Sequence, residues 1–255
     1  MSFLPLHQAH DYSALASRWK ALAKRLKLKL NTLTRVQDLQ IYWLDTGRGQ
    51  EGPAIYLSSG VHGDEAAAAW GLLTWAEENE TLLKEKRFLI LPCLNPCGLI
   101  LNTRADHRGL DINRRFHLEA DEICGPWRKL LMGRLIDLSL CLHEDYDGQG
   151  CYVYELSRMR PPWMQSVMAG LRVILPDPRA TMDGHRANKG VIQRSRVPKN
   201  LPGMPEAIEL QQMGCPITLT YETPSEFSFD DRVRSQVEFV NAVLSSFPML
   251  GNTDA

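Results

Sequence analysis

Histidine and glutamate side chains stand directly after apolar segments at three places in the chain. His62 and Glu65 follow AIYLSSG within the stretch SSGVHGDEAAAAWG, His143 follows LSLCL, and Glu222 follows ITLTY. Two imidazoles and one carboxylate form a ligand set that Zn²⁺ often has in catalytic sites, where a fourth position stays open for chemistry. Gly60 beside the first pair allows a tight turn. The residue types at these positions therefore predict a zinc site.

The elements that must position these residues alternate between strands and helices. Apolar spacing predicts strands near residues 31–36, 39–45, 54–60, 87–96, 136–148, 151–156 and 216–224, and helices near 11–28, 64–79, 126–136, 163–170, 204–213 and 230–247. Residues 95–121 read as a polar, arginine-rich loop and residues 175–203 as an irregular stretch. This order predicts an α/β fold with a mixed, mostly parallel central sheet and helices on both faces.

Polar residues at the carboxyl ends of such strands meet along one edge of the sheet, where ligands bind. His62, Glu65, Asn95, His143 and Glu222 all follow predicted strands. We therefore expect these side chains, distant along the chain, to surround one site.

Composition excludes several classes of function. The chain has 255 residues, 44% of them hydrophobic, with 29 lysines and arginines against 30 aspartates and glutamates. A formal net charge of -1 gives no overall field that favours nucleic acid or an anionic membrane. The sequence shows neither a signal peptide nor an apolar run of about 20 residues, so we expect a cytoplasmic protein without membrane partners.

Domain organisation and cysteine use are simple. We predict one catalytic domain over residues 1–255, with an N-terminal helix and short strands in residues 1–50 packed on it. Six cysteines are scattered through apolar segments without CxxC spacing, which predicts buried thiols rather than a disulfide framework. The sequence leaves the oligomeric state open.

Five short motifs occur in a fixed order between residues 55 and 224: HGDE, NPCG, RADHRGLDINRRF, LHED and TYETP. Each motif alone is a weak signal, since HxxE also occurs in proteins that bind no metal. Together and in register they resemble the M14 zinc carboxypeptidase superfamily, which includes the succinylglutamate desuccinylase and aspartoacylase branch. The resemblance implies a zinc-carboxypeptidase-like, phosphorylase/hydrolase-like fold.

The resemblance also implies a metal centre. By position in the motifs, His62, Glu65 and His143 would bind one Zn²⁺, and Glu222 would act as the general base and acid. The segment between the second and third ligands is compact, as in the deacylase branch. Further carboxylates near the ligands, at Asp64, Glu144, Asp145 and Asp147, would orient the histidines, face solvent or hold a second cation. We predict one zinc ion.

Substrate contacts are implied by the arginine-rich loop. Arg104 matches the arginine that stabilises the oxyanion, although Arg108 competes for that role, and Asn113 with Arg114 matches the pair that grips a substrate carboxylate. A planar guanidinium suits a carboxylate because it pairs bidentately. Two alternatives to substrate binding are that these arginines and Arg115 form a solvated basic loop or a patch that contacts RNA. Few aromatic residues that could stack on bases lie among them, which argues against RNA.

The resemblance therefore implies a zinc-dependent hydrolase that cleaves an amide bond next to a free carboxylate, most simply a carboxypeptidase acting on short peptides. An N-acyl amino acid deacylase of the succinylglutamate desuccinylase/aspartoacylase type is the alternative. A non-catalytic module that binds metal and peptide is the alternative of another class. The digestive enzymes of this superfamily use a mobile tyrosine upstream of the catalytic glutamate. In this chain no tyrosine lies between Tyr154 and Tyr221, which suggests the non-catalytic alternative. His185, Arg186 or Lys189 of the loop DGHRANKG would cover the site instead.

Overall fold

The computed structural model describes residues 8–47, 52–158, 163–197 and 201–247. Within these ranges, eight strands form one sheet in the order β1-β2-β4-β3-β5-β10-β6-β9, and β7 pairs with β8 separately. The strands in chain order are β1 (Leu30–Val36), β2 (Leu39–Asp45), β3 (Ala54–Ser59), β4 (Phe88–Leu91), β5 (Ile136–Asp145), β6 (Tyr152–Leu156), β7 (Thr181–Met182), β8 (His185–Arg186), β9 (Val191–Arg194) and β10 (Ile217–Pro224).

Helices connect the strands and cover the sheet. They are α1 (Tyr12–Leu26), α2 (Ala66–Glu78), α3 (Glu80–Glu85), α4 (Pro96–Leu101), α5 (Cys124–Leu131), α6 (Met164–Gly170), α7 (Glu206–Gln212) and α8 (Phe229–Ser246). A short 3-10 turn at Ile112–Arg114 lies in the arginine-rich loop. Most of these bounds lie within a few residues of the predicted ones.

The strand directions confirm the predicted fold class. Strands β4, β3, β5 and β10 are parallel neighbours, β6 is antiparallel to β10, and β9 is parallel to β6. At the other edge, β2 is antiparallel to both β1 and β4. The sheet is therefore mixed, mostly parallel, and covered by helices on both faces.

Two apolar clusters lie on opposite faces of this sheet. One includes residues of α1, α2, α6 and α8, and the other includes residues of α5 and α7. The alanines that begin α2 are fully buried, and their small side chains allow close packing. A Cβ at Gly71 of α2 would lie 2.5 Å from Cβ of Gln236 in α8, so only glycine fits at that crossing.

Two sequence predictions about irregular segments were wrong. The predicted loop 95–121 contains α4, and the predicted irregular stretch 175–203 contains β7, β8 and β9, of which β9 forms an edge of the main sheet. Both α4 and β9 are too short for apolar periodicity to reveal them. The segment GRGQEGP at residues 47–53, whose glycines and proline predict a turn, lies partly outside the described residues.

All six cysteines are buried and free, as predicted. None of the helices in the described ranges is both long enough and apolar enough to cross a membrane. The single-domain assignment of residues 1–255 stays a prediction, and residues 1–7 and 48–50 of its N-terminal part lie outside the described residues.

Candidate metal centre and substrate cavity

The carboxyl ends of β3, β5 and β10 bring the predicted ligands and Glu222 to one edge of the sheet. His62 and Glu65 lie in the turn between β3 and α2, and His143 lies in β5. Since β10 is parallel to β5, with Glu222 as the register partner of His143, the two side chains lie side by side. Gly60 has a φ of +62°, which lets the chain turn sharply after β3.

His62, Glu65 and His143 converge. All three are buried, with 2–3% of each residue exposed, and one ligand atom from each lies within 4.8 Å of the other two. Nδ1 of His62 contacts Oε1 of Glu65, and Nδ1 of His143 lies 2.8 Å from Oε2 of Glu65. Two imidazole nitrogens and a carboxylate that converge in this way match a His₂Glu ligand set for Zn²⁺.

Electrostatics couple the three groups. Burial alone would raise the pKa of Glu65, but the two imidazoles lower it to about 2. Burial would lower the pKa of His62, but the carboxylates of Glu65 and Asp111 raise it to about 9. The pKa of His143 is raised as well, against its burial, by Glu65 and Glu222. In the metal-free protein, protons on the imidazoles balance the buried carboxylate, and a divalent cation would replace them.

Asp111 supports this centre and was missed by the sequence reasoning. Its Oδ1 lies 3.3 Å from Nε2 of His62, and its Oδ2 accepts hydrogen bonds of 3.2 Å from both Nε and Nη2 of Arg104. Oδ1 also caps the 3-10 turn by accepting from the backbone of Asn113. Carboxylates commonly orient metal-binding histidines in this way. The available signal was the aspartate in DINR, two residues before Asn113.

The sequence left open whether Arg104 or Arg108 stabilises the oxyanion, and the structure places these two arginines differently. Arg104 lines the cavity, with Nη1 3.2 Å from Nδ1 of His62 and 3.7 Å from Oε1 of Glu65. Arg108 instead pairs with Asp106 at 2.7 Å and Asp121 at 3.1 Å. It is not among the described residues that line the cavity. Arg104 is therefore the arginine close to the ligand cluster.

Asn113 and Arg114 lie together on the cavity wall. Oδ1 of Asn113 accepts a 2.9 Å hydrogen bond from the backbone of Glu206, which leaves the amide NH₂ free to donate. Nη1 of Arg114 donates to the carbonyl of Asn113 at 2.9 Å. Glu206 is itself anchored on β3, because Tyr56 and Ser58 donate to its buried carboxylate. This chain of contacts fixes the orientation of Asn113.

Glu222 reaches the cavity from β10 and is only partly exposed. Burial raises its pKa well above the ordinary range, and the neighbouring carboxylates raise it further while His143 opposes them. A carboxyl group with a raised pKa can hold a proton near neutral pH and release it again.

Three of the four additional carboxylates near the ligands make contacts within the protein, and the fourth, Asp147, is exposed. Glu144 pairs with Arg232 and accepts from the backbone of Ala67 at 2.7 Å. Asp145 accepts from Tyr152 at 3.0 Å. Asp64 and Asp147 are at least partly exposed, the first 3.4 Å from the hydroxyl of Tyr146. Among the described residues, the group around His62 that could hold a metal ion includes none of these four carboxylates.

A cavity of about 610 Å³ joins these groups. Its wall contains His62, Glu65, Arg104, Asn113, Arg114, His143 and Glu222, together with Tyr152, Tyr154, His185 and Arg194. All residues predicted to bind metal or substrate or to act in catalysis therefore lie around one space, although their roles stay predictions. Asn95, which was expected at the same site, is not among the described residues that line the cavity. Of the three loop residues expected to cover the site, His185 lines the cavity, whereas Arg186 and Lys189 are not among its described lining residues.

Fold and site together define a chain of the carboxypeptidase fold with a His-His-Glu cluster that could hold a metal ion. Residues 51–171 match the family model of the succinylglutamate desuccinylase/aspartoacylase catalytic domain. This segment contains the three ligand candidates, Asp111, Asn113 and Arg114, and ends before Glu222. A search of curated proteins finds no match to the chain.

Solved structures extend the similarity over nearly the whole chain. A candidate metallopeptidase from Shewanella denitrificans has 25% sequence identity and a TM-score of 0.81, covering 93% of this chain and 90% of that chain. A metallo-carboxypeptidase from Burkholderia cenocepacia has 16% identity and a TM-score of 0.68, covering 92% and 68%. One from Pseudomonas aeruginosa, solved with (2-guanidinoethylmercapto)succinic acid, has 18% identity and a TM-score of 0.59, covering 90% and 68%. Together with the family-model match, these structures confirm the resemblance to the superfamily of metallo-carboxypeptidases and succinylglutamate desuccinylases/aspartoacylases.

Proposed function

We propose that this protein is a zinc-dependent hydrolase that cleaves an amide bond adjacent to a free carboxylate. The observation that carries the proposal is the buried cluster of His62, Glu65 and His143, which opens into the cavity that also contains Glu222. Zinc bound to these ligands would supply a Lewis acid for the scissile carbonyl and the attacking water.

The remaining groups have distinct tasks in this proposal. Glu222 takes a proton during attack on the amide and returns it to the leaving nitrogen, which its raised pKa and its place on the cavity wall favour. Arg104, held by Asp111, donates to the oxygen on which negative charge develops. The amide of Asn113 and the guanidinium of Arg114 hold the free carboxylate of the substrate.

A short peptide is the favoured substrate. A cavity of about 610 Å³ encloses one or two residues rather than a long segment. The structural neighbours named as carboxypeptidases support a peptide substrate. The family match to residues 51–171 favours the second candidate, an N-acyl amino acid deacylase, which needs the same metal, base and carboxylate clamp.

The decisive experiment compares substrates on zinc-loaded protein. The panel contains short peptides with a free C-terminus, the same peptides as C-terminal amides, and N-acyl amino acids. We expect hydrolysis of the free peptides and not of their amides, because the amide removes the charge that Arg114 would bind. Hydrolysis of N-acyl amino acids alone would assign the deacylase function.

The matched variant is Glu222→Gln, which keeps the shape of the side chain but cannot accept the proton. We expect kcat to fall by about 10²- to 10⁴-fold at unchanged zinc content. If the zinc-loaded unmodified protein and the zinc-loaded Glu222→Gln variant both bind peptides but hydrolyse nothing on the panel, the protein is a binding module and not an enzyme.

A further inference from the structure

Helix α2 begins directly after a proposed metal ligand, and this ligand occupies the position that normally caps a helix. Glu65 is the N-cap residue of α2, but its side chain accepts no hydrogen bond from the described backbone of that helix. Its carboxylate instead contacts His62 and His143. The first N–H groups of a helix have no partner within the helix, and the N-cap side chain usually accepts from the second or third residue. At α2 this acceptor has to come from another element.

Glu144 supplies the cap from the neighbouring strand. Its Oε1 accepts a 2.7 Å hydrogen bond from the backbone N–H of Ala67, the second residue of α2. Glu144 directly follows His143 in β5 and, because side chains alternate along a strand, it points to the face that α2 and α8 cover, as Leu142 does. This hydrogen bond joins the backbone two residues after Glu65 to the side chain one residue after His143, across 77 positions of sequence.

Helix α8 contacts both Glu144 and His143. Nη1 of Arg232 donates to Oε2 of Glu144, so each oxygen of this buried carboxylate has a partner from a different helix. Gln236 lies one turn after Arg232 on the same side of α8 and is fully buried. Its Nε2 donates to the backbone carbonyl of His143 at 2.8 Å and to Oγ1 of Thr223 at 3.2 Å. Helix α8 therefore fixes the end of β5 that carries His143.

We propose that Glu144, Arg232 and Gln236 are positioning residues that hold Glu65 and His143 at the separation a metal ion requires. None of the three belongs to the described group of side chains that could hold the ion, so they act through the ligands. A site whose ligands are already in place binds more tightly, because little conformational freedom is lost on binding. This inference rests on the metal site of the proposed function and not on hydrolysis.

Arg232 distinguishes positioning from a plain effect of charge. Arg232→Gln removes a positive charge near the proposed cation, so electrostatics alone would tighten zinc binding. Positioning predicts the opposite, because Glu144 loses the partner that fixes its second oxygen and the cap of α2 loosens. We expect Arg232→Gln to bind zinc about 10-fold more weakly, and Arg232→Lys to bind it with intermediate affinity.

The test is competition for zinc with a chromophoric chelator, together with the visible spectrum of the Co²⁺-loaded protein, which reports the geometry of the ligands. Gln236→Leu changes no charge and should weaken zinc binding by a smaller factor than Arg232→Gln. The matched control is Glu209→Gln. Glu209 is also a buried carboxylate paired with an arginine, Arg128, but it is not among the described residues that line the cavity. Its replacement should leave the zinc affinity and the Co²⁺ spectrum unchanged.

Equal or tighter zinc binding in Arg232→Gln would overturn the inference. An equal loss in Glu209→Gln would also overturn it, because the loss would then follow from general destabilisation. If Arg232→Gln does not fold, Gln236→Leu decides, and an unchanged zinc affinity in that variant would contradict positioning. Zinc binding without hydrolysis in the unmodified protein would end the proposed hydrolase function and leave this inference intact, whereas no zinc binding by the unmodified protein would overturn both.

Discussion

At the scale of single residues, the orientation of His62 depends on a carboxylate that does not itself belong to the ligand set. Asp111 lies 3.3 Å from Nε2 of His62 and also holds Arg104 at 3.2 Å. One aspartate thus orients both a proposed metal ligand and the proposed oxyanion partner. Its pKa is held below the ordinary range by His62 and Arg104 in spite of its burial, so it is ionised at neutral pH.

We predict that Asp111→Asn weakens zinc binding by about 10- to 100-fold, because the imidazole loses its charged partner while the side-chain shape is kept. Competition with a chromophoric chelator measures the affinity directly. Asp38→Asn serves as the control, since Asp38 is exposed and pairs only with Arg35 at 3.1 Å among the described residues. Equal zinc affinity in Asp111→Asn and the unmodified protein would contradict the proposed role of Asp111.

At the scale of elements, α4 and the turn after β3 fix each other. The backbone of Gly63 donates to Thr103 at 3.0 Å, and the backbone of Asn95 donates to Gly60 at 2.7 Å. The side chain of Asn95 caps α4 by accepting from Gly98 at 2.9 Å. Asn95 follows a strand as predicted, but its side-chain amide donates to the carbonyls of Arg104 and Ala105, and it is not among the described residues that line the cavity. The expectation that Asn95 surrounds the site was therefore wrong.

We predict that Gly63→Ala lowers the free energy of unfolding by at least about 1–3 kcal/mol, because overpacking against backbone forces the elements apart. A Cβ at Gly63 would lie 1.9 Å from the carbonyl carbon of Gly98. Gly170→Ala is the matched control, since nothing lies within 4 Å of a Cβ at that position. Urea unfolding of both variants measures the difference. A Gly63→Ala protein as stable as the control would show that this packing is not needed.

The candidate site shows which of its residues could be predicted from the sequence and which could not. Alternating apolar segments located β3, β5 and β10, and with them the edge at which His62, Glu65, His143 and Glu222 meet. Asp111 and Arg194 were not predicted, because each becomes informative only through a partner from another element. His62 is 49 residues from Asp111 in sequence. The place of Arg194 on the cavity wall requires the pairing of β9 with β6, and β9 has only four residues.

At the scale of the whole molecule, the proposed metal would join segments that are distant along the chain. The ligands come from the turn before α2 and from β5, so zinc binding should stabilise the folded chain by mass action. We predict that zinc at 100 times its dissociation constant raises the unfolding temperature by about 5–10 °C. Scanning calorimetry with zinc and with chelator measures this shift, and His143→Asn, which lacks one ligand, is the control in which the shift should nearly vanish.

The size of that zinc-induced shift should depend on pH in a defined direction. In the zinc-free protein the pKa of His62 is raised from 6.5 to about 9, so protonation of His62 stabilises the fold fully below pH 6.5 and loses this effect as the pH rises through 9. Over the same interval zinc competes with fewer protons for the imidazole. At one fixed concentration of free zinc, we therefore predict a larger zinc-induced rise in unfolding temperature at pH 9 than at pH 6. A rise that shrinks with pH would mean that His62 is not a ligand, because its deprotonation would then not favour the metal.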